Sequence, residues 1–197
     1  MSAAGPGSLA AFLGLWVGMS AAMMLPSAAP AISLFALARG DRERSATIPT
    51  AVFVAGYLLA WTAVGVAAYG VARGLGSASP LDAMWSRRLE AAAFAAAGLY
   101  ELTPLKSACL GHCRSPLGFL VRRRQTSALR LGVEHGAVCV GCCAGLMLVL
   151  LALGAMSLVW MALVAGLIIL QKVLPYGDRA AAPLGVAFLV VAMGLLA

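Results

Sequence analysis

Formal charges divide the chain into long apolar stretches. The first is Arg39, so residues 1–38 carry none. A membrane-spanning helix needs about 20 mostly apolar residues to cross roughly 30 Å of hydrocarbon. The opening stretch therefore predicts a helix over 9–36, with Pro26 and Pro30 inside it. It has no basic segment ahead of it and no small-residue cleavage site leading into a polar domain, and so reads as a retained helix and not a signal peptide. A second uncharged run, Ser45 to Ala72, contains Pro49 and predicts a helix over 48–72. The Ala-rich segment 83–104 is a third, although only ten uncharged residues separate Glu90 from Glu101. After Glu134 no formal charge appears until Lys172. A single helix over 135–171 would be about 55 Å long, too long for one crossing. The run must fold back at Gly154–Ser157, which gives helices over 128–153 and 158–174. Residues 183–197 supply a short last one. The pattern predicts an all-α, polytopic transmembrane bundle of about six spans, or five if 83–104 does not cross, in a single unit over 1–197 with no soluble domain.

Composition agrees with that solvent. The chain is 62% hydrophobic and 11% charged, with a mean hydropathy of +0.96. Soluble domains are about half apolar and about a quarter charged. The lipid bilayer is thus the expected partner. The net charge of +7 and pI near 9.7 do not then imply nucleic acid, because excess Lys and Arg in a membrane protein first encodes sidedness. Of 14 Lys and Arg, the predicted spans leave only Arg73, Arg87 and Arg88 on one side and eleven on the other. The rule places residues 106–130 on the cytoplasmic side of a bacterial inner membrane. It makes Arg122–Arg124 an anchor on anionic headgroups and Lys106 a snorkelling anchor.

Chemistry is concentrated in the five cysteines. Cys109 and Cys113 form C-x3-C in the connection after the third helix. Cys139, Cys142 and Cys143 form C-x-x-C-C inside the fourth. Positions 139, 142 and 143 share one helix face by the i, i+3, i+4 rule. His135 lies one turn before that face and Met147 one turn after it. Isolated cysteines would read as small packing residues; two tight clusters read as metal or redox chemistry. Thiolates and thioethers select soft ions, above all Cu(I), with Zn(II) as the competitor. Zinc needs four ligands, which Cys109, Cys113 and two thiols of the fourth helix would supply if the 105–116 segment folds back toward the membrane. A cuprous ion on two thiolates keeps one net negative charge, far cheaper at membrane depth than a bare dithiolate. Disulfide exchange through Cys139 and Cys142 is the redox alternative, opposed by the reducing cytoplasmic side.

Other residues complete the picture. Met19 and Met23 are an i, i+4 pair just before Pro26, whose missing hydrogen bond suits a helix that lines a cavity. Met23 and Met147 are auxiliary ligand candidates. His112, between the two connecting cysteines, and His135 are the nitrogen donors in reach. Glu134 is placed to pair with the basic connection. Glycines at 132, 136, 141 and 145 allow close packing around the thiols. No nucleophile elbow, nucleotide-binding loop or HExxH motif is present, so the chain is not expected to be an enzyme.

Three strings carry a resemblance: AMMLPS at Ala22–Ser27, GLYELTPLKSACLGHCRSP at Gly98–Pro116, and GAVCVGCC at Gly136–Cys143 with Leu146, Met147, Met156 and Met161 after it. They resemble the bacterial family of predicted metal-binding integral membrane proteins, whose domain of unknown function bears CxxxC and CxGCC motifs. The likeness spans nearly the whole chain and implies metal binding at these thiols. The chain departs from the family pattern at Ala144, where a Trp is common, and at Gln171, where a Glu is usual. The residues together lead to an expected Cu(I) site on Cys139, Cys142 and Cys143, with Cys109 and Cys113 as a cytoplasmic entry or exit. Such a protein would act in copper transfer, delivery or tolerance, with a copper chaperone or a membrane cuproenzyme as partner. A membrane thiol–disulfide oxidoreductase and an auxiliary subunit of a larger membrane complex are the alternatives.

Overall fold

A computed structural model describes residues 8–39, 43–77, 83–115, 126–153, 157–174 and 177–197. Among them are seven α-helices, one 3-10 turn and no strand. The helices are α1 (Leu9–Arg39), α2 (Glu43–Ser77), α3 (Ala83–Glu101), α4 (Pro104–Arg114), α5 (Ala128–Leu153), α6 (Leu158–Val173) and α7 (Ala181–Leu196). Four stretches are long and apolar enough to cross a membrane: Leu9–Ala38, Thr47–Gly74, Ala128–Leu153 and Gly177–Leu196. The shorter α6 is apolar too. Arg42, Arg122–Arg124 and the fold-back at 154–156, with Met156, lie outside the described residues.

Helix α5 is the hub. It packs against α2, α3, α4 and α6, while α1 lies against α2 and α6, and α7 against α3. Its glycines let it sit deep among these neighbours. A Cβ on Gly132 would run into the backbone carbonyl of Phe53, and one on Gly56 into that of Leu129, so α2 and α5 cross with their backbones nearly touching. Neither carbonyl can move without dragging its helix. Gly132→Ala is therefore expected to force the pair apart at a cost of about 1–3 kcal/mol or more. Thermal unfolding in detergent, followed by circular dichroism, would show the lower midpoint.

The largest departure from the sequence reading concerns residues 101–114. The segment after the third helix is not a connecting loop. Helix α3 stops at Glu101, and Thr103 caps a new helix whose first residue is Pro104. The Thr103 hydroxyl accepts from the Lys106 amide at 3.3 Å. Proline suits this position because its missing N–H would be unpaired there anyway. The chain then runs along α5: Glu101 at the end of α3 lies against Gly145, and Cys109 of α4 against Gly141.

A buried polar ring fixes this break. Lys106 is 0% exposed, Glu101 3% and Gln171 2%. Lys106 Nζ donates to Glu101 Oε1 at 2.7 Å and to Gln171 Oε1 at 2.9 Å. Gln171 Nε2 donates to Glu101 Oε2 at 3.2 Å, which closes the ring. Lys106 is thus no snorkelling anchor: its counter-ion lies inside the bundle. The ring ties α3, α4 and α6 together. Glu134 does pair as expected, with Arg130 one turn back at 3.1 Å.

Candidate metal centre

Helical spacing brings Cys139, Cys142 and Cys143 to one side of α5. All three are buried, and their sulfurs lie within 4.8 Å of one another. Cys142 Sγ is 3.5 Å from Cys143 Sγ and donates to the Cys139 carbonyl at 3.2 Å. A fourth sulfur arrives from α4. Cys113 Sγ sits 3.3 Å from Cys142 Sγ, because α4 lies alongside α5. The other α4 thiol, Cys109, points the same way one turn earlier and is half-buried against Gly141. All five cysteines are free thiols. The two clusters that the sequence separated into a connection and a helix therefore meet.

Two polar side chains from different helices converge on Cys139. Tyr57 Oη of α2 lies 2.9 Å from its sulfur. Lys172 Nζ of α6 donates to the same sulfur at 2.9 Å and also reaches Ser27 Oγ of α1 at 3.4 Å. Lys172 is buried. Charge-assisted bonds of the kind an ammonium makes to a thiolate are the strong ones. Gln171 and Lys172 are consecutive on α6, so one helix end serves both the polar ring and the thiol cluster.

The remaining candidates divide. Met23 and Met147 are buried in the same core cluster as the thiols, together with Met24. His135 is buried, with its ring tilted against those of Phe53 and Tyr57 at centre distances of 5.9 and 6.0 Å. His112 is not brought to the thiols. It is exposed, and its Nδ1 lies 2.8 Å from the Ala108 carbonyl of its own helix. The cause is again that 104–114 is helical, which turns Cys109 and Cys113 inward and His112 away. Two residues of the site escaped the sequence reading, Lys172 and Tyr57. Lys172 had a visible signal, since an ionisable residue closing an apolar run is functional or paired by default. Tyr57 had none beyond lying in the second apolar stretch.

Four sulfurs with a hydroxyl and an ammonium around them form a soft donor set. Residues 13–195 match the sequence profile of PpoB2, a copper-chaperone family. The chain belongs to that family. No curated protein and no solved structure gives a match. Membership of a copper-chaperone family agrees with the absence of a catalytic motif, since a chaperone binds and passes on its cargo without transforming it. A cluster of buried thiols that could hold a metal ion is in keeping with that family. Thiolates are the donors that hold Cu(I) well, and ligand exchange between thiolates can release it again. Tyr57 and Lys172 stand against Cys139, where groups of this kind orient a donor and tune its basicity.

Proposed function

We propose that this member of the copper-chaperone family is an integral protein of the bacterial inner membrane that takes up Cu(I) on Cys113, Cys139, Cys142 and Cys143 and hands it on to a membrane cuproenzyme or another copper carrier. The observation that carries the reading is the meeting of four sulfurs from two helices beside the buried ammonium of Lys172. Charge balance favours the cuprous ion. Cu(I) needs only two of the four sulfurs as thiolates at a time, the others staying thiols that can exchange in; that complex is singly negative, and Lys172 brings the sum to zero. Zn(II) on four thiolates would leave a net negative charge even with Lys172, which is costly in a buried site. Cys109 flanks the cluster as a transfer ligand, and Met23, Met147 and His135 lie in reach as auxiliary ones. His112 would serve only outside the bundle.

In this reading α1, α2, α5 and α7 cross the membrane, α6 crosses as a short span, and α3 with α4 crosses as one broken helix. That makes six spans in one unit, with the segment after Arg114 on the cytoplasmic side, as the basic residues favour. A break at membrane depth is tolerated where its freed backbone groups find partners: here the Leu102 and Thr103 amides donate to the Leu99 and Tyr100 carbonyls, and the Thr103 hydroxyl accepts from the Lys106 amide. X-ray absorption on the anaerobically Cu(I)-loaded chain tests the ligand set. The expected result is a first shell of sulfur alone. A shell dominated by nitrogen or oxygen would refute it.

A further inference from the structure

Beside the thiols lies a cavity of about 180 Å³ that neither the family nor the ligand set accounts for. Ser27 and Ala31 of α1, Cys113 and Arg114 of α4, His135 of α5 and Lys172 of α6 line it. Its described wall holds two cationic side chains, an imidazole and a thiol, but no carboxylate. Asp178 bonds Arg114 Nη1 at 2.7 Å without lining the cavity. Arg114 Nη2 also donates to the Leu174 carbonyl at 2.9 Å, which holds the guanidinium at the rim. At the floor, Lys172 touches Cys139. Cys139, Cys142 and Cys143 are buried, whereas Cys113 is half-buried and belongs both to the wall and to the sulfur cluster. The first sulfur met by anything entering is therefore Cys113.

Arg114 and Lys172 each keep one partner, the exposed Asp178 outside the cavity and the Cys139 sulfur, yet the described wall offers a bare metal cation no carboxylate. An anion carrying the metal is drawn to these two cations, whose partners offset their field only in part, and such focusing raises association rates. The volume is below the roughly 300–1,000 Å³ of pockets that enclose a drug-sized ligand. It admits the metal and the sulfur arm of a carrier, and leaves the rest of the carrier outside at Arg114. We propose that this cavity is a loading port that accepts Cu(I) as an anionic complex with a small carboxylate-bearing thiol. The inference rests on the copper reading above and adds the form in which the metal arrives. The step is a ligand exchange. The copper bond to the carrier sulfur breaks, a bond to Cys113 Sγ forms, and the Cys113 thiol proton leaves on the released carrier. Copper stays Cu(I), and a second exchange moves it to Cys142.

Stopped-flow transfer under anaerobic conditions tests this on the full chain in detergent. The probes are Cu(I)–glutathione, which is carboxylate-bearing, and Cu(I)–cysteamine, which carries an ammonium. Each rate is divided by that carrier's rate of transfer to a neutral soluble chelator, which removes differences in intrinsic lability. The port predicts a glutathione preference of at least about tenfold, lost in Arg114→Gln and kept in Arg114→Lys. Equal normalised rates in the wild-type chain, or a preference unchanged in Arg114→Gln, would overturn the port. An equilibrium titration on the same sample separates the two levels. Tight Cu(I) binding without carrier preference rejects the port alone, whereas no Cu(I) binding rejects the copper reading and the port with it.

Discussion

Glu101→Leu is expected to destabilise the fold by about 3–5 kcal/mol, because it strands the Lys106 ammonium in the interior. Lys106 is wholly buried, and its other hydrogen-bonding partner is the Gln171 amide, which carries no charge. Attraction inside a low-dielectric bundle offsets the cost of desolvating both ions only while both are present. The triple variant Glu101→Leu/Lys106→Met/Gln171→Leu removes the ring as a unit and should recover most of the loss, as apolar replacements of whole buried ion pairs do. Thermal or denaturant unfolding in detergent measures both. If Glu101→Leu unfolds like the wild-type chain, the ring does not secure the α3–α4 break. The single variant should also weaken Cu(I) binding, since the ring holds α4, and α4 brings Cys113 to Cys142.

That ring shows where reading the sequence stops. The apolar runs were legible because length and the absence of charge extend over many consecutive residues. The helices over Leu9–Arg39, Ala128–Leu153 and Leu158–Val173 lie close to where the runs place them. The face shared by Cys139, Cys142 and Cys143 was legible because helical periodicity fixes it. Contacts between distant segments were not. Nothing local says that Lys106 meets Glu101 and Gln171 rather than water, so a snorkelling anchor was the natural reading. The sequence shows Pro104 as a stop for one helix, but not that Thr103 and Pro104 together start the next. That one feature makes a helix of the segment that reads as a connection, and it turns His112 away from the thiols. Lys172 was counted for its charge and not for its depth, although its place at the end of an apolar run was the clue.

The other large effect falls on the thiols. Cys139→Ser combined with Cys142→Ser is expected to weaken Cu(I) binding by more than about 100-fold. Loss of a single outer partner of a metal ligand already costs 10–100-fold, and here two donors go at once. Serine keeps the size and a hydrogen-bonding group, so Tyr57 and Lys172 retain partners at position 139 and the bundle should stay folded. A hydroxyl is a hard, weakly acidic donor, and a cuprous ion gains little from it. Cys142 and Cys139 both link Cys113 to the α5 thiols: Cys142 lies 3.3 Å from Cys113 and 3.5 Å from Cys143, and Cys139 is the other hydrogen-bonding partner of Cys113. Losing the two together should therefore disconnect the two clusters as well as remove two donors.

The central claim, that these sulfurs hold Cu(I), is tested most directly by an anaerobic competition titration of the wild-type chain and this double variant against a chromogenic Cu(I) chelator. The account predicts that the wild-type chain retains a single Cu(I) in the face of the chelator while the variant surrenders it. Equal retention by the two, or release of all copper by the wild-type chain, would contradict it.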